Sequence, residues 1–406
     1  MRILGLTTIC AATLFFSCSS DDDSGTAIPI NEVTTPANYS FTRDGESTVS
    51  FSGQTTRIAM AEELMSAFND FDTSTEASLM GMFAHVEGED DFTDPALNAS
   101  DKNIRSKTAA STDYFGANAT ESNLIKSTFD GYISTHINEV YPNANTAAAP
   151  GVAGQIADGS SARYITGQGL EMNQVFGKGL IGALMADQML NNYLSTAVLD
   201  EGTNRVDNDN DITVEDKAYT NMEHKWDEAY GYLFGASANE VNPLEDLGEA
   251  DGFLNKYLFR VDGDADFNGI AQEIYDAFKL GRAAIVASNY EVRDEQAAII
   301  RQKVSEVIAV RAIYYLQSGK TAIINQDLGG AFHDLSEGYG FVYSLRFTRN
   351  NQDGSSFFSR SEVDDFISMM LNDGENGLWD ITPQTLDAIS EAIASKFSFT
   401  VAEAAD

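Results

Sequence analysis

His224-Lys225-Trp226-Asp227-Glu228-Ala229-Tyr230-Gly231-Tyr232 is echoed by His333-Asp334-Leu335-Ser336-Glu337-Gly338-Tyr339-Gly340-Phe341, so His-x-x-x-Glu-x-Tyr-Gly-aromatic occurs twice, 109 residues apart. A His and a Glu four residues apart share one face of an α-helix, and a glycine three residues further on lets a second helix approach that face closely. The repeat therefore predicts two helices of matched design and an all-α fold of two pseudo-repeated bundles, roughly 38–240 and 241–406. If the two helices face one another, His224, Glu228, His333 and Glu337 present two imidazoles and two carboxylates to one point, a donor set suited to zinc or iron. The competing reading is a pair of buried His/Glu hydrogen bonds whose role is packing.

The flanking pattern agrees with helices. Ile58, Met60, Ala61, Leu64, Met65 and Phe68 form an apolar stripe at helical spacing. A helix is expected over Ser122–Val140, and a long one over Glu171–Leu194, where Gly177, Gly179 and Gly182 mark close helix approach. Thr213 with Asp216 has the form of a capping box that would start the helix bearing His224. Periodic stretches at 274–286, 297–316, 363–371 and 382–397 complete the helical set. Tyr39–Thr42 and Thr48–Ser52 alternate around Asp44-Gly45, which predicts a small N-terminal β-hairpin as the only sheet. Residues 151–160 read as a connection.

The N-terminus carries an address. Met1-Arg2 is followed by an apolar run to Phe16, too short to span a membrane and suited to a secretory signal. Leu14-Phe15-Phe16-Ser17-Cys18 resembles a bacterial lipobox, which predicts a signal peptide over 1–17 and a lipid on Cys18. Cys10, the other cysteine, lies inside the signal, so the mature chain has no disulfide to form. Ser19-Ser20-Asp21-Asp22-Asp23 opens a flexible acidic tether that runs over 18–37. The membrane is then a partner through the lipid, and the expected location is the outer membrane at the cell surface, with a periplasm-facing orientation as the alternative. With 62 Asp+Glu against 25 Lys+Arg the formal charge is -37, which repels phosphate backbones and excludes nucleic acid as a partner.

Two acidic loops have oxygen-ligand spacing. Asp262, Asp264, Asp266, Asn268 and Glu273 fall at positions 1, 3, 5, 7 and 12 of a calcium loop, although Phe267 occupies the glycine position. Asp207, Asp209, Asp211 and Glu215 follow the same pattern less completely. His85 and His136 read as satisfied or surface histidines. The chain has no His-Glu-x-x-His, Gly-x-Ser-x-Gly or P-loop, and nothing argues for a nucleophilic enzyme.

Taken in order, Tyr39-Ser40-Phe41-Thr42-Arg43, Val49-Ser50-Phe51-Ser52-Gly53-Gln54-Thr55-Thr56-Arg57 and the two repeat copies resemble the DUF4856 lipoproteins of Bacteroidetes over residue 38 to the C-terminus. That family is similar to the imelysin-like (peptidase M75-like) group, and the resemblance implies a duplicated helical fold at the outer surface with a link to iron uptake or metallopeptidase activity. The imelysin signature Gly-x-His-x-x-Glu is not reproduced: Met222 and Asp227 flank His224 at those positions, and Ala331 and Ser336 flank His333. The sequence thus sets out three expectations. The first is a non-enzymatic binding protein for a metal or metal complex, its ligand otherwise unspecified. The second is a zinc-dependent peptidase using the same residues. The third is a calcium-stabilised adhesion or scaffold protein.

Overall fold

The computed structural model describes residues 33–406, which are predominantly helical. The expected signal peptide, Cys18 and the acidic tether as far as residue 32 lie outside the described residues. The first described elements are two short strands, β1 (Thr42–Arg43) and β2 (Glu46–Ser47), joined by Asp44 at φ 53° and Gly45 at φ 87°. Two consecutive left-handed residues make the turn that Asp-Gly favours, as the sequence predicts.

Helix α1 (Ser52–Ala67) buries Ile58, Met60, Ala61 and Leu64, the predicted stripe. α2 (Glu76–Phe83) is started by a capping box at Thr75. Short helical turns at Pro95–Asn98, Ile104–Lys107 and Thr112–Phe115 lead to α3 (Ala119–Thr135). Gly154–Asp158 (β3) then pairs antiparallel with Ser161–Ile165 (β4), so the N-terminal hairpin is not the only sheet. The signal passed over was the alternation Gln155-Ile156-Ala157 and Arg163-Tyr164-Ile165 around Gly159 (φ 56°).

α4 (Met172–Leu180) runs on through wider π-type turns at Ile181–Ala186 and Met189–Tyr193, so the long helix predicted to Leu194 is present in distorted form. Its glycines work as expected. A β-carbon at Gly182 would come within 2.5 Å of Ser344, and one at Gly179 within 3.4 Å of the Phe129 ring.

α5 (Asn221–Phe234) carries the first repeat copy. Its capping box is Thr220/Glu223, not Thr213/Asp216, and Asp216 lies in a left-handed turn at φ 59°. α6 (Leu254–Asp262), α7 (Ile270–Val286) and the 35-residue α8 (Tyr290–Ile324) follow. The second copy lies on α9 (Leu328–Ser344), capped by Asp327. α10 (Arg360–Leu371) and α11 (Pro383–Ala394) close the bundle. α8 packs against α7, α9 and α11, while α9 packs on α4, and α5 on α1 and α7. Two of these packings, α9 on α4 and α5 on α7, join helices from before and after residue 240. No helix of the described residues is long and apolar enough to cross a membrane.

The repeat explains two of these packings. In α5 the residue two after the histidine, Trp226, covers Gly281 of α7 and donates its indole N–H to Phe278 O at 3.0 Å. In α9 the residue at that place, Leu335, covers Gly319 of α8. The glycine seven after each histidine is a crossing point. Gly231 meets Phe51 and Gln54 at the start of α1, and Gly340 meets Lys178 and Gly179 on α4.

Candidate functional site

His224 sits on the first turn of α5, where its Nδ1 donates to Ser50 O at 3.0 Å and its ring stacks on Tyr219 at 4.6 Å. Burial depresses its basicity, with the Glu228 charge opposing. Glu228 accepts from Lys225 Nζ at 2.9 Å and Gln54 Nε2 at 3.1 Å. Burial pushes its pKa upward, but Lys225 and the neighbouring imidazole outweigh that and hold it below the usual range.

His333 lies one turn below Glu337 on α9. Its Nδ1 is 2.7 Å from Glu171 Oε2, on the residue that precedes α4, and its Nε2 is 4.0 Å from Glu337 Oε1. Burial opposes protonation here, but the Glu171 and Glu337 carboxylates prevail and the pKa is raised. Glu337 pairs with Lys178 at 3.0 Å and accepts from the Tyr257 hydroxyl at 3.4 Å. Burial again works upward on this carboxylate, and Lys178 overcomes it.

The two pairs thus share a plan without sharing a point in space. Each histidine ties its helix to the beginning of the helix it crosses, and each glutamate binds a lysine, Lys225 one turn back on α5 in the first copy and Lys178 across on α4 in the second. Among the described residues no hydrogen bond or ion pair joins His224 or Glu228 to His333 or Glu337, and no three His, Cys, Asp or Glu side chains gather as a metal would require. The four do not converge on one point among the described residues: the His224 imidazole is committed to Ser50 O and that of His333 to Glu171, across the two halves of the chain.

The polar groups of the Asp262 loop are likewise engaged within the chain. Asp262 Oδ1 accepts from the backbone N–H groups of Gly269 and Ala271, both at 3.0 Å, and so closes the start of α7. Asp264 accepts from Asp266 N at 2.9 Å, Asn268 donates to Asp262 O at 3.1 Å, and Glu273 pairs with Lys303 at 3.0 Å. These oxygens serve the loop's own backbone rather than a common centre. In the first acidic loop, Asp207 and Asp209 instead fall within a short helix, Asn204–Asp209. His85 is held between Asp91 Oδ2 at 2.7 Å and Asn98 O at 3.2 Å. His136 bonds Phe68 O at 2.7 Å, and burial lowers its pKa to about 4. Both are buried; His85 has both ring nitrogens bonded, while Nδ1 of His136 has no hydrogen-bond partner.

Sequence reasoning missed the most elaborate polar assembly. Arg282 on α7 is fully buried and bonds Asp227 through Nε at 3.0 Å, Glu223 through Nη1 at 3.0 Å and Thr48 through Nη2 at 2.9 Å. Arg43 reaches the same Glu223 at 2.9 Å, and Tyr39 donates to Asp227 at 2.6 Å while its ring stacks on Tyr230 at 3.7 Å. The N-terminal hairpin is thereby locked onto α5 and α7. The available signal was Lys279 and Arg282 at core positions of the otherwise apolar 274–286 stripe.

Fold and site together define a helical protein whose repeated motif organises matched helix crossings with a lysine-neutralised glutamate at each. The profile of the family described as Domain of unknown function (DUF4856) matches residues 36–400, and the chain belongs to that family. No curated protein and no solved structure matches the chain.

Proposed function

We propose that this protein is a binding protein rather than a hydrolase, a lipoprotein held at the outer membrane, facing the cell surface, by a lipid on Cys18. The supporting observation is the condition of the two repeated glutamates. Each carboxylate is engaged by a lysine, Glu228 by Lys225 at 2.9 Å and Glu337 by Lys178 at 3.0 Å, and each titrates below the ordinary range. A general base for peptide hydrolysis needs a pKa drawn toward neutrality and an open position beside a metal-bound water. Glutamates held as lysine salts suit recognition and packing instead. The lipobox-like Leu14-Phe15-Phe16-Ser17-Cys18 and the acidic run after it supply the address, in the manner of Bacteroidetes lipoproteins.

The test uses the full chain purified in detergent. Peptide cleavage is measured with and without added zinc or iron, and membrane fractionation is compared between the native chain and Cys18→Ser. Absence of cleavage under every metal condition, with loss of the Cys18→Ser variant from the membrane fraction, is the expected result. Metal-dependent cleavage abolished by Glu337→Gln or Glu228→Gln would overturn the reading in favour of an imelysin-like peptidase.

A further inference from the structure

We infer that each copy of the repeat builds an oxyanion-binding site, one beside Glu337 and one beside Glu228. This deepens the binding-protein reading and rests on it. In a chain with 62 acidic and 25 basic residues, a cation is expected to find a carboxylate. Around the two repeated glutamates several do not.

Beside Glu337, Lys178 takes the carboxylate at 3.0 Å, and two further cations face the same place without an acid of their own. Arg311 on α8 is 6% exposed, and its Nε is buried with no hydrogen-bond partner. Its guanidinium lies against tyrosine rings, 3.9 Å from Tyr314, 4.6 Å from Tyr315 and 5.6 Å from Tyr257, and has no ion pair among the described residues. Lys256 on α6 has no ion pair among the described residues and stands 5.8 Å from the Tyr257 ring. Burial and then the Lys178 charge depress its pKa, so the two ammonium groups sense each other.

Beside Glu228 the inventory is the same. Lys225 takes the carboxylate at 2.9 Å. Arg57 on α1, also 6% exposed, has no ion pair among the described residues and donates to the backbone carbonyls of Asn103 at 3.1 Å and Gly53 at 3.0 Å. Lys107 has no ion pair among the described residues, lies 5.7 Å from the Tyr193 ring, and is depressed first by burial and next by Arg57. The Tyr232 hydroxyl is buried there beside Arg57.

Each cluster therefore sets three cations against one glutamate, with tyrosine rings as walls. The cations come from different elements in the two copies: α1, α5 and the turn at Ile104–Lys107 in one, α4, α6 and α8 in the other. The same charge excess assembled twice from non-equivalent positions is not explained by duplication of a packing scheme. It is explained by a ligand. Beside Glu337 the buried Arg311 guanidinium keeps an open Nε, and in both clusters a buried guanidinium with flanking ammonium groups matches the several acceptor oxygens of phosphate, sulfate or a carboxylate, which salt-bridging to a single glutamate does not exhaust. Lys178 and Lys225 keep 11% and 25% side-chain exposure, so solvent reaches both clusters. The surrounding charge of -37 repels anions at range, and screening over roughly 8 Å confines that repulsion, so local excess positive charge is the means by which this surface can hold one.

Calorimetric titration of the full chain in detergent with inorganic phosphate, inorganic sulfate and citrate, against a chloride control, tests the inference. Saturable binding of at least one of the three, with two sites per chain, is expected. Lys256→Gln and Lys107→Gln, both at part-exposed positions, should each weaken one site tenfold or more, the double variant should lose both, and Lys107→Arg should retain its site. Circular dichroism establishes that each variant is folded, and Arg311→Gln is added where it folds. Failure of all three anions to give saturable heat, or binding unchanged in the double variant, would overturn the inference. Binding of a neutral or cationic ligand in the absence of any oxyanion binding would overturn it while leaving the binding-protein reading intact, whereas metal-dependent peptide cleavage would remove that reading itself.

Discussion

Arg282 Nε donates to Asp227 Oδ1 at 3.0 Å with neither side chain exposed. Glu223, 1% exposed, is bonded to the same guanidinium at 3.0 Å, so one arginine compensates two buried carboxylates. Removing a single partner from such a set leaves uncompensated charge in the interior and costs about 3–5 kcal/mol. Arg282→Met is expected to lose stability on that scale in urea unfolding. It should also expose the N-terminal hairpin to protease, because Thr48 and the Asp227 contact to Ser50 depend on this network. The variant carrying Asp227→Asn and Glu223→Gln as well should recover part of the loss.

The repeated glycines carry a second prediction. A β-carbon at Gly231 would stand 2.5 Å from Phe51 Cβ, and one at Gly340 would overlap Lys178 Cβ and lie 2.9 Å from Gly179 N. Neighbouring backbone leaves little room to give way, so Gly231→Ala and Gly340→Ala should each destabilise by about 1–3 kcal/mol despite the gain in helix propensity. Gly131, on the middle of α3 with nothing within 4 Å of its added β-carbon, is the control. Gly131→Ala should stabilise by about 0.5–1 kcal/mol, read as an upward shift of the thermal midpoint.

What the sequence disclosed follows from these residues. The helices were legible because their apolar spacing is a local signal, and the glycines of the repeat and of the 177–182 stretch were legible because only close approach explains them. The partners were not. Nothing local says that His333 turns to Glu171, 162 positions away, or that His224 takes the carbonyl of Ser50, 174 positions away. Correct helices and correct faces do not fix which faces meet, and the four repeat residues do not converge among the described residues. The roles of the Asp262 loop were not legible for a different reason, since aspartates that cap backbone N–H groups and aspartates that ligate calcium occur at the same spacing. Arg57, Lys107, Lys256 and Arg311 have no common motif and are recognisable as a set only once folding places them.

Asp251 supplies a third prediction. It is buried, one carboxylate oxygen accepts from Phe253 N at 2.7 Å, and the other has no partner. Burial, with the Glu62 charge adding to it, raises its pKa to about 7. The native state therefore holds a proton that the unfolded chain releases near pH 4, and ionisation costs on the order of 4 kcal/mol once the pH exceeds both values. Asp251→Asn keeps the oxygen that accepts from Phe253 and removes the charge. It should stabilise the protein at pH 8 by on the order of 2 kcal/mol, with little gain at pH 5. An equal effect at both pH values would show that Asp251 is not protonated in the native protein.

The complete pH profile is the fourth. Asp187 and Asp227, each raised to about 6 by burial, act in the same sense as Asp251. Native carboxyls with raised pKa bind more protons than the unfolded chain, so stability declines as pH rises from about 4 to 7. His333 adds to this, because its pKa is raised: its contribution is full below the unfolded value of 6.5 and is lost as pH climbs through the folded one. On the acid side the signs reverse. Glu223, Glu228 and Glu337 are lowered, so what they contribute is present above 4.5 and lost as pH falls through their folded values. His136, lowered to about 4, and His224, lowered by burial, resist the charging that acid imposes below 6.5. The two sets cross between about pH 5 and 6, where the thermal midpoint should be greatest, and the -37 formal charge steepens the fall toward alkaline pH. His333→Gln should flatten the descent between pH 6 and 8 without moving the acid limb, and a midpoint that instead rose steadily to pH 8 would contradict the protonated state assigned to the buried carboxyls.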